Sequence, residues 1–127
     1  MGEVYLADDV TLARKVALKF LPPKLEQDAD ARDRFYREAR SAAGLDHPFI
    51  CKVFEVTELD GRPCIAMEYV VGETLAALAE RDPPTMPRVV EIASEMAEAL
   101  AEAHRHGVVH RDLKPTNVML TGQGTSR

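Results

Sequence analysis

His110-Arg111-Asp112-Leu113-Lys114-Pro115-Thr116-Asn117 is the stretch whose reading decides this chain. It sets an acid, a base and an amide close together and stiffens them with a proline. A helix-like segment ending at Gly107 runs ahead of it, and a short apolar run, Val118-Met119-Leu120, follows. Phosphoryl transfer needs such a set: a carboxylate to orient an attacking hydroxyl, a cation on the moving phosphate and an amide oxygen on a metal ion. The competing reading is a polar surface turn with no chemistry.

Composition bounds the rest. The 127 residues suffice for one ordinary domain with a proper core. Apolar residues make up 46% and charged residues 29%, which describes a globular chain and not a disordered one. A net charge of −5 argues against nucleic acid or an anionic membrane as the main partner. No apolar run approaches the roughly 20 residues of a membrane span. The start, Met1-Gly2-Glu3-Val4, lacks the features of a signal peptide, and Leu6 stands where a myristoylation site wants Ser or Thr. A cytoplasmic location is expected. Cys51 and Cys64 read as reduced, small, buried side chains and not as a disulfide.

Outward from the decisive stretch, the N-terminal half alternates like a sheet. Gly2 to Ala7 predicts a strand, Asp8 to Leu12 a turn, and Arg14 to Leu21 a second strand. In the second strand Ala17, Lys19 and Leu21 share one face, while Val16, Leu18 and Phe20 share the other. After Pro22-Pro23, Asp28 can cap a helix running to about Leu45. Ala31, Phe35, Ala42 and Leu45 fall on one stripe of that helix, and Glu38 falls on the same stripe. A carboxylate on a core-facing stripe asks for a buried cation, and Lys19 is the obvious candidate. Arg32, Arg34, Arg37 and Arg40 lie mostly off the stripe and read as a solvated face.

Cys51 to Glu58 and Arg62 to Tyr69 predict a hairpin around Asp60-Gly61. Thr74 to Arg81 predicts a short helix. Thr85 caps a longer one with Pro87 in its first turn. On that helix Val89, Ile92, Met96, Leu100 and Ala103 line one face and Arg88, Glu91, Glu95, Glu98, Glu102 and Arg105 another, before Gly107 ends it. His104, His106 and His110 lack the spacing of a helical zinc pair and are not read as metal ligands.

The stretch at 110–117 resembles the catalytic loop of the protein kinases, H-R-D-L-K-P-x-N, with every specified position filled. Val16-Ala17-Leu18-Lys19 resembles the family's third strand. Glu38 resembles the helix-C glutamate that pairs with its lysine, and Met67-Glu68-Tyr69-Val70-Val71-Gly72-Glu73 resembles the hinge. The resemblance implies an α+β, protein kinase-like fold. Residues 1–70 would form an antiparallel N-lobe with helix C; residues 71–127 would begin a mainly helical C-lobe. It implies ATP and magnesium as cofactors and the Ser or Thr hydroxyl of a protein as acceptor, with no nucleic-acid partner and no membrane segment in this chain. Asp112 would orient the hydroxyl, Lys114 steady the γ-phosphate and Asn117 hold magnesium. Lys19 would hold the α- and β-phosphates with Glu38 behind it. Gly2 would belong to the phosphate loop, Val4 and Ala17 would roof the adenine, and Met119 would floor it. Met67 would be the gatekeeper, with Glu68 and Val70 on the adenine edge and Glu73 near the ribose. Lys114 is the serine/threonine variant of the loop, and Arg111 suggests control by a phosphorylated activation loop.

Departures qualify the match. The Gly-rich loop is represented only by Gly2-Glu3-Val4, and no Asp-Phe-Gly follows the turn-like Gly122-Gln123-Gly124-Thr125-Ser126. The expectation is a kinase fragment cut at both ends, with the apolar stripe of the 85–106 helix open to self-association. Two other readings remain: a small-molecule phosphotransferase of related fold, against which Arg111, Lys114 and Pro115 argue, and a non-catalytic nucleotide-binding or scaffolding module. The isolated polypeptide is expected to be marginally folded and to transfer no phosphate. Measurable turnover by the pure 127-residue chain would contradict this.

Overall fold

A computed structural model of the chain describes residues 4–110 and 112–121. Gly2, Arg111 and the 122–126 turn, all named above, lie outside the described residues. The chain divides into two compact units: strands and helix from the first 46 residues together with Lys52–Tyr69, and His47–Cys51 together with everything from Val70 onward.

In the first unit the alternation becomes a four-stranded antiparallel sheet in the order β1-β2-β4-β3. β1 is Val4–Asp9 and β2 is Arg14–Phe20. Asp9 shapes the turn between them, its Oδ1 accepting from the amides of Thr11 and Leu12, both at 3.1 Å. β3 (Val53–Leu59) and β4 (Arg62–Glu68) form the expected hairpin. Asp60 and Gly61 both take positive φ, 53° and 77°, which is what a right-twisted two-residue turn demands. β4 lies in the middle of the sheet, and its Pro63, Cys64, Ile65 and Ala66 are all buried. Val16 and Phe20 are buried on β2, and Tyr5 meets the Phe20 ring edge-on at 5.7 Å.

Helix α1 (Ala29–Ala43) begins at Asp28, whose carboxylate accepts from the amides of Asp30 and Ala31 at 3.0 and 3.2 Å. It packs on β3 and β4. Its sheet-facing residues are Phe35, Tyr36, Ala39 and Ala42, with Ala39 3% exposed; Leu45 is buried just past its end.

In the second unit β5 (Gly72–Thr74) pairs antiparallel with β6 (Met119–Thr121). Thr74 caps α2 (Leu75–Arg81), its Oγ1 accepting from the Ala77 amide at 3.0 Å. Helix α3 (Met86–Arg105) follows, with proline tolerated in its first turn. It buries Ile92 and Ala103 and half-buries Met96 and Leu100, so the apolar stripe read from the sequence faces inward along most of its length. Val89, at the stripe's N-terminal end, stays 39% exposed. Gly107, at φ 75°, turns the chain so that the Val108 amide returns to the Ala103 carbonyl at 2.9 Å. Among the described residues no helix is long and apolar enough to cross a membrane.

Ala13, in the β1–β2 turn, holds φ at 52°, a left-handed conformation that a Cβ makes costly. Ala13→Gly is therefore expected to stabilise the fold by about 1 kcal/mol. The check is a rise in denaturant midpoint with an unchanged slope.

Candidate functional site

The loop at 110–117 folds back on its own aspartate. Pro115 fixes the first position of a 3-10 turn, Pro115–Asn117, and the Asn117 amide closes it on the Lys114 carbonyl at 2.9 Å. The turn swings the Asn117 side chain back, so that Nδ2 donates to the Asp112 carbonyl at 2.8 Å and to its Oδ2 at 3.3 Å. Lys114 Nζ lies 3.3 Å from the same Oδ2, and the Asp112 amide donates to His110 Nδ1 at 3.1 Å. Three residues named from the sequence, Asp112, Lys114 and Asn117, thus form one constellation.

Its electrostatics follow from those contacts. The Lys114 hydrogen bond, backed by its charge, the Asn117 amide and His110, holds the exposed Asp112 carboxyl below the usual carboxylate range, although some desolvation opposes the shift. Asp112 therefore stays ionised and acts as an acceptor that orients a donor. With Nδ2 committed, the Asn117 Oδ1 is the atom left for a cation. An amide oxygen and a carboxylate match the hard-oxygen preference of magnesium. Among the described residues no group of three or more His, Cys, Asp or Glu side chains forms a metal cluster, so these two supply only part of a coordination shell.

Backbone pairing ties the loop to the segment after the first unit. Glu73 stands opposite Leu120 and Thr74 opposite Met119, and the Leu75 amide donates to the Val118 carbonyl at 2.8 Å. A Cβ on Gly72 would sit 1.9 Å from the Leu120 carbonyl oxygen, so this approach admits only glycine. The Glu73 carboxylate is engaged by Arg81 at 2.5 Å, and that bond raises the Arg81 pKa. Val70, half-buried, precedes β5.

In the first unit the register Val4↔Lys19, Leu6↔Ala17 and Ala17↔Met67 places Val4, Ala17, Lys19 and Met67 on one face. Val4 is 59% exposed there, an apolar side chain without cover; Ala17, Lys19 and Met67 are half-buried. Glu68 ends β4, its amide bonded to the Lys52 carbonyl at 2.8 Å.

The structure departs from expectation at Glu38. Among the described residues neither Lys19 nor Glu38 enters an ion pair, and Glu38 is exposed. The reason is the roll of α1. Its inner stripe runs through half-buried Phe35, buried Ala39 and half-buried Ala42, leaving Glu38 on the flank. Arg32 is also no solvated residue. It bonds the Glu58 carboxylate and, at 3.2 Å, the Glu26 carbonyl, whereas Arg34, Arg37 and Arg40 are exposed as expected. The contacts of Arg81 with Glu73 and of Arg32 with Glu58 were missed because opposite charges at those separations follow no spacing rule.

Known proteins resemble the chain over nearly all of its length. The protein kinase domain family model matches residues 1–127. The chain is 46% identical over 121 residues to serine/threonine-protein kinase PknJ of Mycobacterium tuberculosis, covering 95% of this chain and 20% of that protein. It is 40% identical over 125 residues to serine/threonine-protein kinase PrkC of Bacillus subtilis, covering 98% and 19%. The solved PknI kinase domain of Mycobacterium tuberculosis superposes with a TM-score of 0.86 at 41% identity, covering 98% of this chain and 51% of that one. The chain thus spans about a fifth of those curated relatives and about half of the solved kinase domain.

Two outcomes follow from the loop. Gly72→Ala should separate β5 from β6 and cost about 2–3 kcal/mol, read as a lowered unfolding midpoint. A folded-state pKa below the unfolded one means that Asp112 stabilises the fold above the ordinary carboxylate value of about 3.9, and that this stabilisation is lost as pH falls through the lower folded value. Carboxyl-carbon NMR should place the Asp112 midpoint below that ordinary value, and Lys114→Ala should move it back up.

Proposed function

This chain belongs to the protein kinase family, and from that premise we propose that it carries the nucleotide-binding strands and catalytic loop of an ATP-dependent serine/threonine protein kinase. Residues 1–70 serve as the N-lobe and 71–127 as the start of the C-lobe, in the cytoplasm. The observation that carries the reading is the Asp112 constellation, with Lys114 and Asn117 both bonded to one ionised carboxylate.

In this reading Val4 and Ala17 cover the adenine from the sheet and Met119 supports it from β6. Met67 limits the depth of the pocket, the Glu68 carbonyl and Val70 amide meet the adenine edge, and Glu73 takes the ribose. Gly2 counts as part of the phosphate loop through its resemblance alone, and Lys19 holds the α- and β-phosphates with Glu38 in support. Asn117 holds magnesium, which, when bound, neutralises charge on the phosphate oxygens. Asp112 orients a Ser or Thr hydroxyl of a protein and receives its proton. A bond forms from that oxygen to the γ-phosphorus as the bond to the β-phosphate oxygen breaks, Lys114 steadies the moving group, and ADP leaves. Exposed Val89 and Val90 on α3 favour self-association of the chain on its own.

One observation favours a second reading, a nucleotide-binding module without turnover: Lys19 and Glu38 are unpaired among the described residues. The deciding experiment substitutes residues 1–127 for the matching half of the PknI kinase domain and follows labelled phosphate from ATP to a protein acceptor. The chimera should label Ser and Thr. Asp112→Asn should reduce the rate by about 10²–10⁴-fold while nucleotide binding persists. Binding without labelling by the unsubstituted chimera would instead support the module.

A further inference from the structure

One carboxylate on the sheet joins two successive turns of α1. Arg32 and Tyr36, one helical turn apart, both donate to Glu58 Oε1 on β3, Tyr36 at 3.2 Å. Arg32 also donates to the Glu26 carbonyl in the connection before the helix. Glu26 in turn bonds Arg62 Nε at 2.6 Å, and the Arg62 guanidinium lies 4.6 Å from the centre of the Phe20 ring. The network therefore reaches from α1 through its leading segment to β2, β3 and β4.

An isolated exposed ion pair contributes little. Two donors from successive turns on a single oxygen act differently, because together they fix rotation about the helix axis and not merely position. With that rotation set, Phe35 and Ala39 face the sheet and Glu38 stays exposed, apart from Lys19. Burial, and after it the Glu58 contact, raises the Tyr36 hydroxyl pKa, which favours the protonated form that donates to Glu58.

We propose that Glu58 is a positioning residue, a clamp that holds α1 in the roll that keeps Glu38 away from Lys19, and that its release lets the two pair. The role in nucleotide binding rests on the kinase reading of Lys19 and Glu38; the clamp itself does not.

A water-soluble carbodiimide joins amines to carboxylates in contact, and peptide mass spectrometry then quantifies the Lys19–Glu38 cross-link in the whole chain. The wild type should give little product. Glu58→Ala, and Tyr36→Phe, which removes one arm and leaves the sheet untouched, should each raise the yield severalfold. Unchanged yield in both variants would overturn the clamp. In parallel, affinity for magnesium and a non-hydrolysable ATP analogue should rise severalfold in Glu58→Ala but not when Glu38→Gln is also present. An equal rise in both backgrounds would mean that Glu58 does not act through Glu38. Absence of nucleotide binding in every variant would count against the kinase reading, while the cross-link yield would still decide the clamp.

Discussion

The return of the Asn117 side chain onto Asp112 is the constraint on which the second unit depends. It requires the 3-10 turn begun by Pro115, and that turn sets where the chain leaves for β6. β6 pairs with β5, and at Gly72 the two backbones come too close for a side chain against Leu120–Thr121. Once β5 is placed, Thr74 caps α2, and α2 packs against the same turn. Local backbone chemistry thus closes a loop of dependencies around a single carboxylate.

Lys114 and Asn117 keep the Asp112 carboxylate ionised and aimed, which the proposed role of orienting a hydroxyl and accepting its proton requires. The first unit solves a different problem: presenting a cation and small apolar side chains on one sheet face. Strict alternation of β2 does this, with Val16 and Phe20 buried on one side and Ala17 and Lys19 on the other.

Legibility in the sequence followed the range of the physics involved. The strands, the Asp28 cap, the Asp60-Gly61 turn and the α3 stripe rest on local rules of period, capping and turn chemistry, and each was readable from neighbouring residues. The Asp112, Lys114 and Asn117 set was readable because its geometry closes within a few residues. The roll of α1 was not. Both the predicted and observed stripes fit the same helical period, and the choice between them lies in Glu58, distant in sequence and carried by another element. The Glu73–Arg81 contact was illegible for a similar reason, since it joins a strand to the far end of the next helix.

The proposal under test is that Ala17 and Lys19 in the first unit, and Val70, Met119 and Asn117 in the second, each meet a nucleotide with magnesium. Its most direct test is to titrate the chain with a non-hydrolysable ATP analogue, with and without magnesium, while following assigned amide signals. Ala17, Lys19, Val70 and Met119 should shift together, and Asn117 should join them only when magnesium is present. Signals that stay still at those positions, or an Asn117 response independent of the metal, would contradict it.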